Sequence, residues 1–438
     1  LASITRYETR TLECWPKAKE LRMSFYKEVA RARELGKILV SGGSAVIQAL
    51  PAGLGDYIFL GGEPYAASVS TDMAFQQSCS EAVEARGFAQ DMCGYVRMYL
   101  GSMYRNQFFF GGEFPRPHFC LQMTVCDSQG KWFQQVSEHL GIPYFSIDYP
   151  GSRNGDDWYD RGIKYLVDQF NEAIEWMEKV TGRTYNDELL IQAVRNECMS
   201  TSLWADVCCL NKNVPAPLEH KSMFPLWVIG VMMRPRKDAV DFYSILRDEV
   251  RERVKKGIAA LPVEQCRIMD DNIPPWFMLE MYRYLERYGA VAVGSHHTFF
   301  LAGSFETGPD GSLVRARTPD ERGLPLRTRE DALRAYAIWH MEKHFFSDQF
   351  SSEVLPKPEM FVRTVREWKC DCAIIHQNRG CEGNSQGGAE DRLALLHAGI
   401  PVLTYEGNMV DKRELNMVQI KERFDSFMEN MGVRKIKD

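Results

Sequence analysis

Residues 119–147 read FCLQMTVCDSQGKWFQQVSEHLGIPYFSI, and this stretch decides the fold. The apolar run Phe119–Val125 has the length and bounds of a buried strand, and it runs directly into Cys126. A helix is expected around Lys131–Leu140, and a second short strand over Pro143–Ile147. Strand, helix and strand in succession are the unit of a parallel sheet covered by helices. Upstream the pattern repeats. Ile38-Leu39-Val40 reads as a strand ending in Ser41-Gly42-Gly43, and Tyr57–Leu60 as another ending in Gly61-Gly62. Before them, Leu21, Phe25, Val29, Ala32 and Leu35 form one helical stripe within Lys17–Leu35, stopped by Gly36.

Downstream the periodicity changes. Trp158–Val180 carries Ile163, Leu166, Val167, Phe170, Ile174 and Met177 at helical spacing, and Asp187–Leu203 and Ala239–Leu261 predict further helices. Lys212–Pro225, with three prolines, reads as a connecting loop, and the apolar stretch Met223–Met233 as a buried strand or short core segment. Alternation then returns. Helices are expected over Trp276–Tyr288, Arg329–His344, Pro358–Trp368, Ala389–His397 and Arg413–Met431. Strands are expected over Ala290–Val293, Cys372–His376 and Val402–Tyr405, with a loop over Gln377–Gly388. The expected organisation is an N-terminal helical segment (1–35), a first α/β domain (36–155), a helical connecting region (156–262) and a second α/β domain (263–438).

Composition excludes several classes. A net charge of −6 over 438 residues disfavours sequence-independent nucleic-acid binding, which needs a large positive field. No apolar run approaches the roughly 20 residues that span a bilayer, so no membrane association is expected. LASITRYETRTLECWPKAKE shows no basic region followed by an apolar one, so no secretory signal is expected. The 12 cysteines then read as reduced thiols of a cytoplasmic protein. There is no phosphate-cradling G-x-x-x-x-G-K-[ST], so ATP hydrolysis, if the reaction needs it, belongs to another chain.

No compact C-x-x-C-x-x-C array is present. Cys120, Cys370 and Cys372 lie in or beside apolar strands and read as buried structural thiols. Cys93, Cys126 and Cys381 differ: each sits where a helix is about to begin, and the last two follow strands. Ligands of α/β sheets bind outside the carboxyl ends of the strands, and helix N-termini there favour thiolate. Arg97 and Arg379 place positive charge nearby in sequence. Spacing alone leaves two readings open, convergence of the three at one face or three unrelated buried thiols. His296-His297 reads as a surface or a hydrogen-bonded loop pair, with a proton donor or metal ligand as the alternative, and His118 and His376 as structural. Asp127 and Glu382 read as partners of backbone amides or as proton donors, Phe108-Phe109-Phe110 as packing or the wall of a planar pocket, and Arg251–Lys256 as a solvated helix face or a contact for ligand phosphates.

The blocks Asp91-Met92-Cys93-Gly94-Tyr95-Val96-Arg97, Val125-Cys126-Asp127, Arg379-Gly380-Cys381-Glu382-Gly383 and Gly399-Ile400-Pro401-Val402 resemble the benzoyl-CoA reductase/2-hydroxyacyl-CoA dehydratase family. TYEGNMVDKRE (404–414), followed by a helix ending near FMENMG, is similar to the B-type subunit of the ATP-dependent reductases. The resemblance implies two flavodoxin-like (Rossmann-like) parallel-sheet domains and one [4Fe–4S] cluster held by Cys93, Cys126 and Cys381, its fourth iron site free. It also implies a related C-type subunit, two ATPase/activator-type subunits that use ATP and Mg, and reduced ferredoxin as electron donor. The implied activity is that of an oxidoreductase, reducing benzoyl-CoA or a related aryl-CoA to a cyclic diene carboxyl-CoA by single-electron transfer. The family's other activity, removal of water from a 2-hydroxyacyl-CoA through a ketyl radical, is the alternative. A non-catalytic iron–sulfur electron-transfer protein, or a zinc site at the same thiols, are further readings.

Overall fold

A computed structural model describes residues 5–43, 46–150, 158–342 and 356–436. Its first sheet contains β1 (Ile38–Gly42), β2 (Tyr57–Gly61), β3 (Phe119–Thr124) and β4 (Tyr144–Asp148), ordered β2-β1-β3-β4 and parallel throughout. Its second contains β5 (Cys266–Asp270), β6 (Ala290–Ser295), β9 (Cys372–Asn378) and β10 (Val402–Gly407), ordered β10-β9-β5-β6 and again parallel. Between them in sequence, β7 (Phe305–Thr307) and β8 (Leu313–Arg315) form a small antiparallel hairpin. Counted within each sheet, both orders are second, first, third, fourth. That is the flavodoxin-like order, and its switch point lies between the first and third strands. β1 and β5 are buried along their whole length, as strands covered on both faces must be. The two-lobe α/β architecture is therefore as expected.

The helical middle consists of Trp158–Thr181, Asp187–Leu210, His220–Met232 and Lys237–Lys256. Ile163, Leu166, Val167, Phe170, Ile174 and Met177 are the buried stripe of the first. The Asn186 side chain caps the second by accepting from the amides of Glu188 and Leu189.

Of the two readings of Met223–Met233, the strand fails and the buried core segment holds: Met223–Met232 lie in a helix with Pro225 inside it, and the preceding loop ends at Glu219. The helix is apolar on every side because it is enclosed on every side, so no periodicity marked it. The expected domain boundary at 155/156 and the expected helix end at His344 lie outside the described residues. Among the described residues, no helix is long and apolar enough to cross a membrane.

Candidate functional site

Each of the three singled-out cysteines stands at a helix start. Cys93 precedes the helix Gly94–Tyr104, and Cys126 is the extended residue between β3 and the helix Asp127–Leu140. Cys381 lies between β9 and the short helix Glu382–Ser385. Because β3 and β9 are each the third strand of their sheet, Cys126 and Cys381 occupy corresponding places beside the two switch points. Cys93 comes from the connection between β2 and β3 and has to be brought to them.

Two glycines show how. Gly380 has φ +74, and a Cβ there would lie 2.2 Å from the Asp91 carbonyl oxygen and 2.9 Å from the Met92 carbonyl carbon. A Cβ on Gly94 would meet Met409 Cγ at 2.6 Å and Val410 Cγ2 at 2.9 Å. The turn carrying Cys93 is thus gripped by two segments of the second lobe, one of them adjacent to Cys381.

The thiols are close enough to act on one another. Burial pushes the Cys93 thiol far up; the thiols of Cys381 and Cys126 push the same way, and the amides of Val96 and Tyr95 oppose them. Burial also pushes Cys126 up to about 12, opposed by the Gln129 amide and reinforced by Cys381, Asp127 and Glu63. Cys93 and Cys381 are buried and Cys126 is half-buried. Asn384 Nδ2 lies 3.7 Å from the Cys381 sulfur.

Three soft sulfur donors beside helix-terminal amides suit an iron–sulfur cluster. A mononuclear site is a poorer fit. Zinc thiolates at about 2.3 Å bring their sulfurs within about 4 Å of each other. Among the described residues, no three His, Cys, Asp or Glu side chains are grouped to hold one ion.

The positive charge near the cysteines in sequence is paired in the fold. Arg97 is fully buried and paired with Glu84 and Asp411, while Arg379 points outward to Glu406. A different cation lies near Cys381. Lys357 Nζ sits 2.9 Å from Asp391 and 3.8 Å from Asp271. It donates to the carbonyls of Asn384 (3.1 Å) and Gln386 (3.0 Å). Burial alone would depress this ammonium, but the two carboxylates outweigh it and keep it protonated. Nothing in the sequence marked Lys357, which looks like one more charge on an amphipathic helix.

Of the readings of His296-His297, the surface one fails, since both are buried at the start of the helix His296–Phe300 that follows β6. Burial holds His297 neutral with its pKa lowered to about 3, and Asn384 touches it. At the end of β5, Asp270 accepts from the Tyr282 hydroxyl, and burial raises this carboxyl to about 7.

Other expectations hold. Cys120 and Cys372 are buried, whereas Cys370, also expected to be buried, is half-buried just before β9. His118 accepts from the Leu39 amide, and His376 Nδ1 lies 2.7 Å from the Ile273 carbonyl, both structural bonds. Phe109 packs edge-on against Tyr26 and Tyr65. Of the basic run, Arg253 departs from a solvated face, being buried and bonded to the Arg10 carbonyl. Asp127 is exposed, and the Glu382 side chain lies outside the described residues.

The sequence family described as 2-hydroxyglutaryl-CoA dehydratase, D-component, matches residues 57–431. The (R)-phenyllactyl-CoA dehydratase alpha subunit of Clostridium sporogenes is 26% identical over 377 residues, covering 85% of this chain and 84% of that one. The (R)-2-hydroxyisocaproyl-CoA dehydratase alpha subunit of Clostridioides difficile is 25% identical over 417 residues, 94% of each chain. The B-type subunit of the benzoyl-CoA reductase of Thauera aromatica is 23% identical over 372 residues, 80% of this chain and 79% of that one. The expected nearness to a B-type reductase subunit is thereby corrected, because these dehydratase subunits match at higher identity and over more of the chain. Matched along most of its length and folded as two parallel α/β lobes, the chain belongs to the 2-hydroxyglutaryl-CoA dehydratase D-component family.

Proposed function

We propose that this chain is the iron–sulfur subunit of a 2-hydroxyacyl-CoA dehydratase, with Cys93, Cys126 and Cys381 as the residues that hold its [4Fe–4S] cluster. The observation that carries this reading is the junction of the two lobes, where the turns bearing Cys93 and Cys381 touch backbone to backbone through Gly380. Bound there, the cluster supplies low-potential single electrons for a thioester substrate.

The chain's own residues do the rest. Burial of Cys93 and Cys381 keeps water from their sulfurs. The amides of Tyr95, Val96 and Gln129 favour the thiolate forms of Cys93 and Cys126. Lys357 keeps a protonated amine behind the Cys381 turn, and the neutral His297 touches Asn384, one turn from the same cysteine.

The relatives are named as subunits, which supports a homologous partner subunit and an acyl-CoA substrate. An ATP-dependent activator fed by reduced ferredoxin completes the proposed system. The reductase reading rests on residues 404–414. Much of that stretch has a structural role, since Met409, Val410 and Asp411 grip the Cys93 helix and Asn408 ties them to the Arg379 carbonyl. Such a role is compatible with either chemistry.

The test is anaerobic reconstitution followed by turnover with an activator and partner subunit. About four irons and four sulfides per chain are expected in wild type, with loss of both in Cys93→Ser, Cys126→Ser and Cys381→Ser. Turnover of an (R)-2-hydroxyacyl-CoA to its enoyl-CoA supports the dehydratase. Reduction of benzoyl-CoA without dehydration would replace it with the reductase. A fully loaded, active Cys93→Ser protein would sink the ligand assignment.

A further inference from the structure

Arg97 lies one helical turn beyond Cys93, fully buried, and its side-chain hydrogen bonds lead away from its own helix. Its Nη1 donates to the Gln90 carbonyl (2.6 Å), three residues before Cys93. Its Nη2 donates to Glu84 (2.7 Å) in the first lobe and to Asp411 (3.1 Å) in the second. Asp411 is buried and also accepts from Arg413, which in turn reaches Glu84 at 2.5 Å. The four side chains close a ring of two guanidiniums and two carboxylates across the lobe junction.

The ring continues toward Cys381 through the backbone. Asn408 Oδ1 accepts the amides of Val410 (2.9 Å) and Asp411 (3.1 Å), and Asn408 Nδ2 donates to the Arg379 carbonyl (3.4 Å). Asn378 Oδ1 accepts the Met409 amide at 3.0 Å, and the Arg379 amide donates to the Gly407 carbonyl at 2.8 Å. An unbroken path of hydrogen bonds therefore runs from three residues before Cys93 to two residues before Cys381. Arg97 and Asp411, its central link, are 314 positions apart in the chain.

We propose that the Arg97–Asp411 pair, braced by Glu84 and Arg413, is a positioning clamp that sets the separation of the Cys93 and Cys381 turns. The inference rests on the cluster reading above and adds residues that touch neither sulfur. A buried pair of this kind is weak evidence for stability, since well-packed apolar residues can replace one without loss. Its fork geometry is what suits it to fixing a distance. A guanidinium meets a backbone carbonyl and two carboxylates in fixed directions, which a lysine ammonium cannot reproduce.

The test uses the full-length protein, reconstituted anaerobically. The readouts are iron and sulfide per chain, the rate of iron transfer to a ferrous chelator, and the paramagnetic resonance spectrum of the reduced protein. Asp411→Asn should lose iron at least tenfold faster than wild type and show a shifted spectrum. Arg97→Met should lose it faster still, with Arg97→Lys between Arg97→Met and wild type. Should the buried variants fail to fold, Arg413→Gln, whose side chain is 47% exposed, should still release iron a few-fold faster. Wild-type release and a wild-type spectrum in Asp411→Asn, Arg97→Lys and Arg413→Gln would overturn the clamp and leave the cluster standing. A wild-type protein that takes up no iron or sulfide would overturn the cluster reading, and the clamp with it.

Discussion

Replacing Gly380 with alanine tests the contact on which the site is built. Two costs arise at that position. The backbone has φ +74, a left-handed conformation that costs an L-residue roughly 1–2 kcal/mol. The new methyl would also stand 2.2 Å from the Asp91 carbonyl oxygen, far inside contact distance, with backbone on both sides and no flexible side chain to yield. Relief of such overpacking costs roughly 1–3 kcal/mol, so Gly380→Ala should destabilise by about 2–5 kcal/mol in total. Gly399 is the internal control. Its φ is +75, but nothing lies within 4 Å of its Cβ position. Gly399→Ala should therefore cost only the backbone share, about 1–2 kcal/mol. Any gain from stiffening the unfolded chain is common to both. Urea unfolding followed by tryptophan fluorescence gives the difference, expected to be roughly 1–3 kcal/mol. Equal losses in the two variants would mean that the Cys381 turn does not rest on the Cys93 turn in solution, and the case for one shared site would fail.

Two further perturbations address the polar groups beneath the Cys381 turn. Lys357→Met leaves Asp271 and Asp391 buried without their cation, which should cost about 3–5 kcal/mol at pH 8. Burial already raises both carboxyls, so the deficit should shrink at pH 6, where protonation removes the stranded charge; urea unfolding showing an equal deficit at both pH values would contradict this. His376 has the opposite sense. Burial lowers its pKa from 6.5 to about 4, so its contribution is intact above pH 6.5 and is lost as pH falls toward 4, because the unfolded chain takes up a proton that the fold refuses. Between pH 8 and pH 5 this one imidazole should account for about 2 kcal/mol of lost stability, and His376→Gln should show a correspondingly smaller loss over that range; an unchanged pH dependence would exclude a neutral buried His376.

Seven strands were legible because each is a short apolar run closed by glycine or by a helix start, and Phe119–Leu140 shows both the run and the switch of period; β5, β7 and β8 were missed, β5 because Arg267 and Asp270 interrupt its short apolar run. Cys93, Cys126 and Cys381 were legible as helix-initiating cysteines for the same local reason. The helix His220–Met232 was not. A continuous apolar run reads alike as buried strand or buried helix, and the presence of Pro225 favoured the wrong choice. His296 and His297 misled because imidazoles after a strand usually face water. Here Ser295 and Thr298 close a capping box that turns the pair into the core. The partners of Lys357 and the Arg97–Asp411 contact were invisible, since they join residues far apart in the chain.

Residues 404–414 show how a local resemblance can point to the less similar of two groups of relatives. TYEGNMVDKRE looks specific because so many of its residues are constrained. Asn408 is held by two amides and a carbonyl, Met409 and Val410 close over Gly94, and Asp411 receives Arg97 and Arg413. Each constraint concerns the junction of the lobes and the placing of Cys93 relative to Cys381. Any enzyme that holds a cofactor between these two turns needs such a clasp, whichever thioester it acts on. Discrimination between a hydroxyacyl chain and an aromatic ring must then come from side chains that face the substrate. Grafting 404–414 from the B-type subunit of a benzoyl-CoA reductase into this chain should leave the preferred acyl-CoA unchanged. A switch of substrate in that chimera, measured as the ratio of the two kcat/KM values, would refute the division between clasp and pocket.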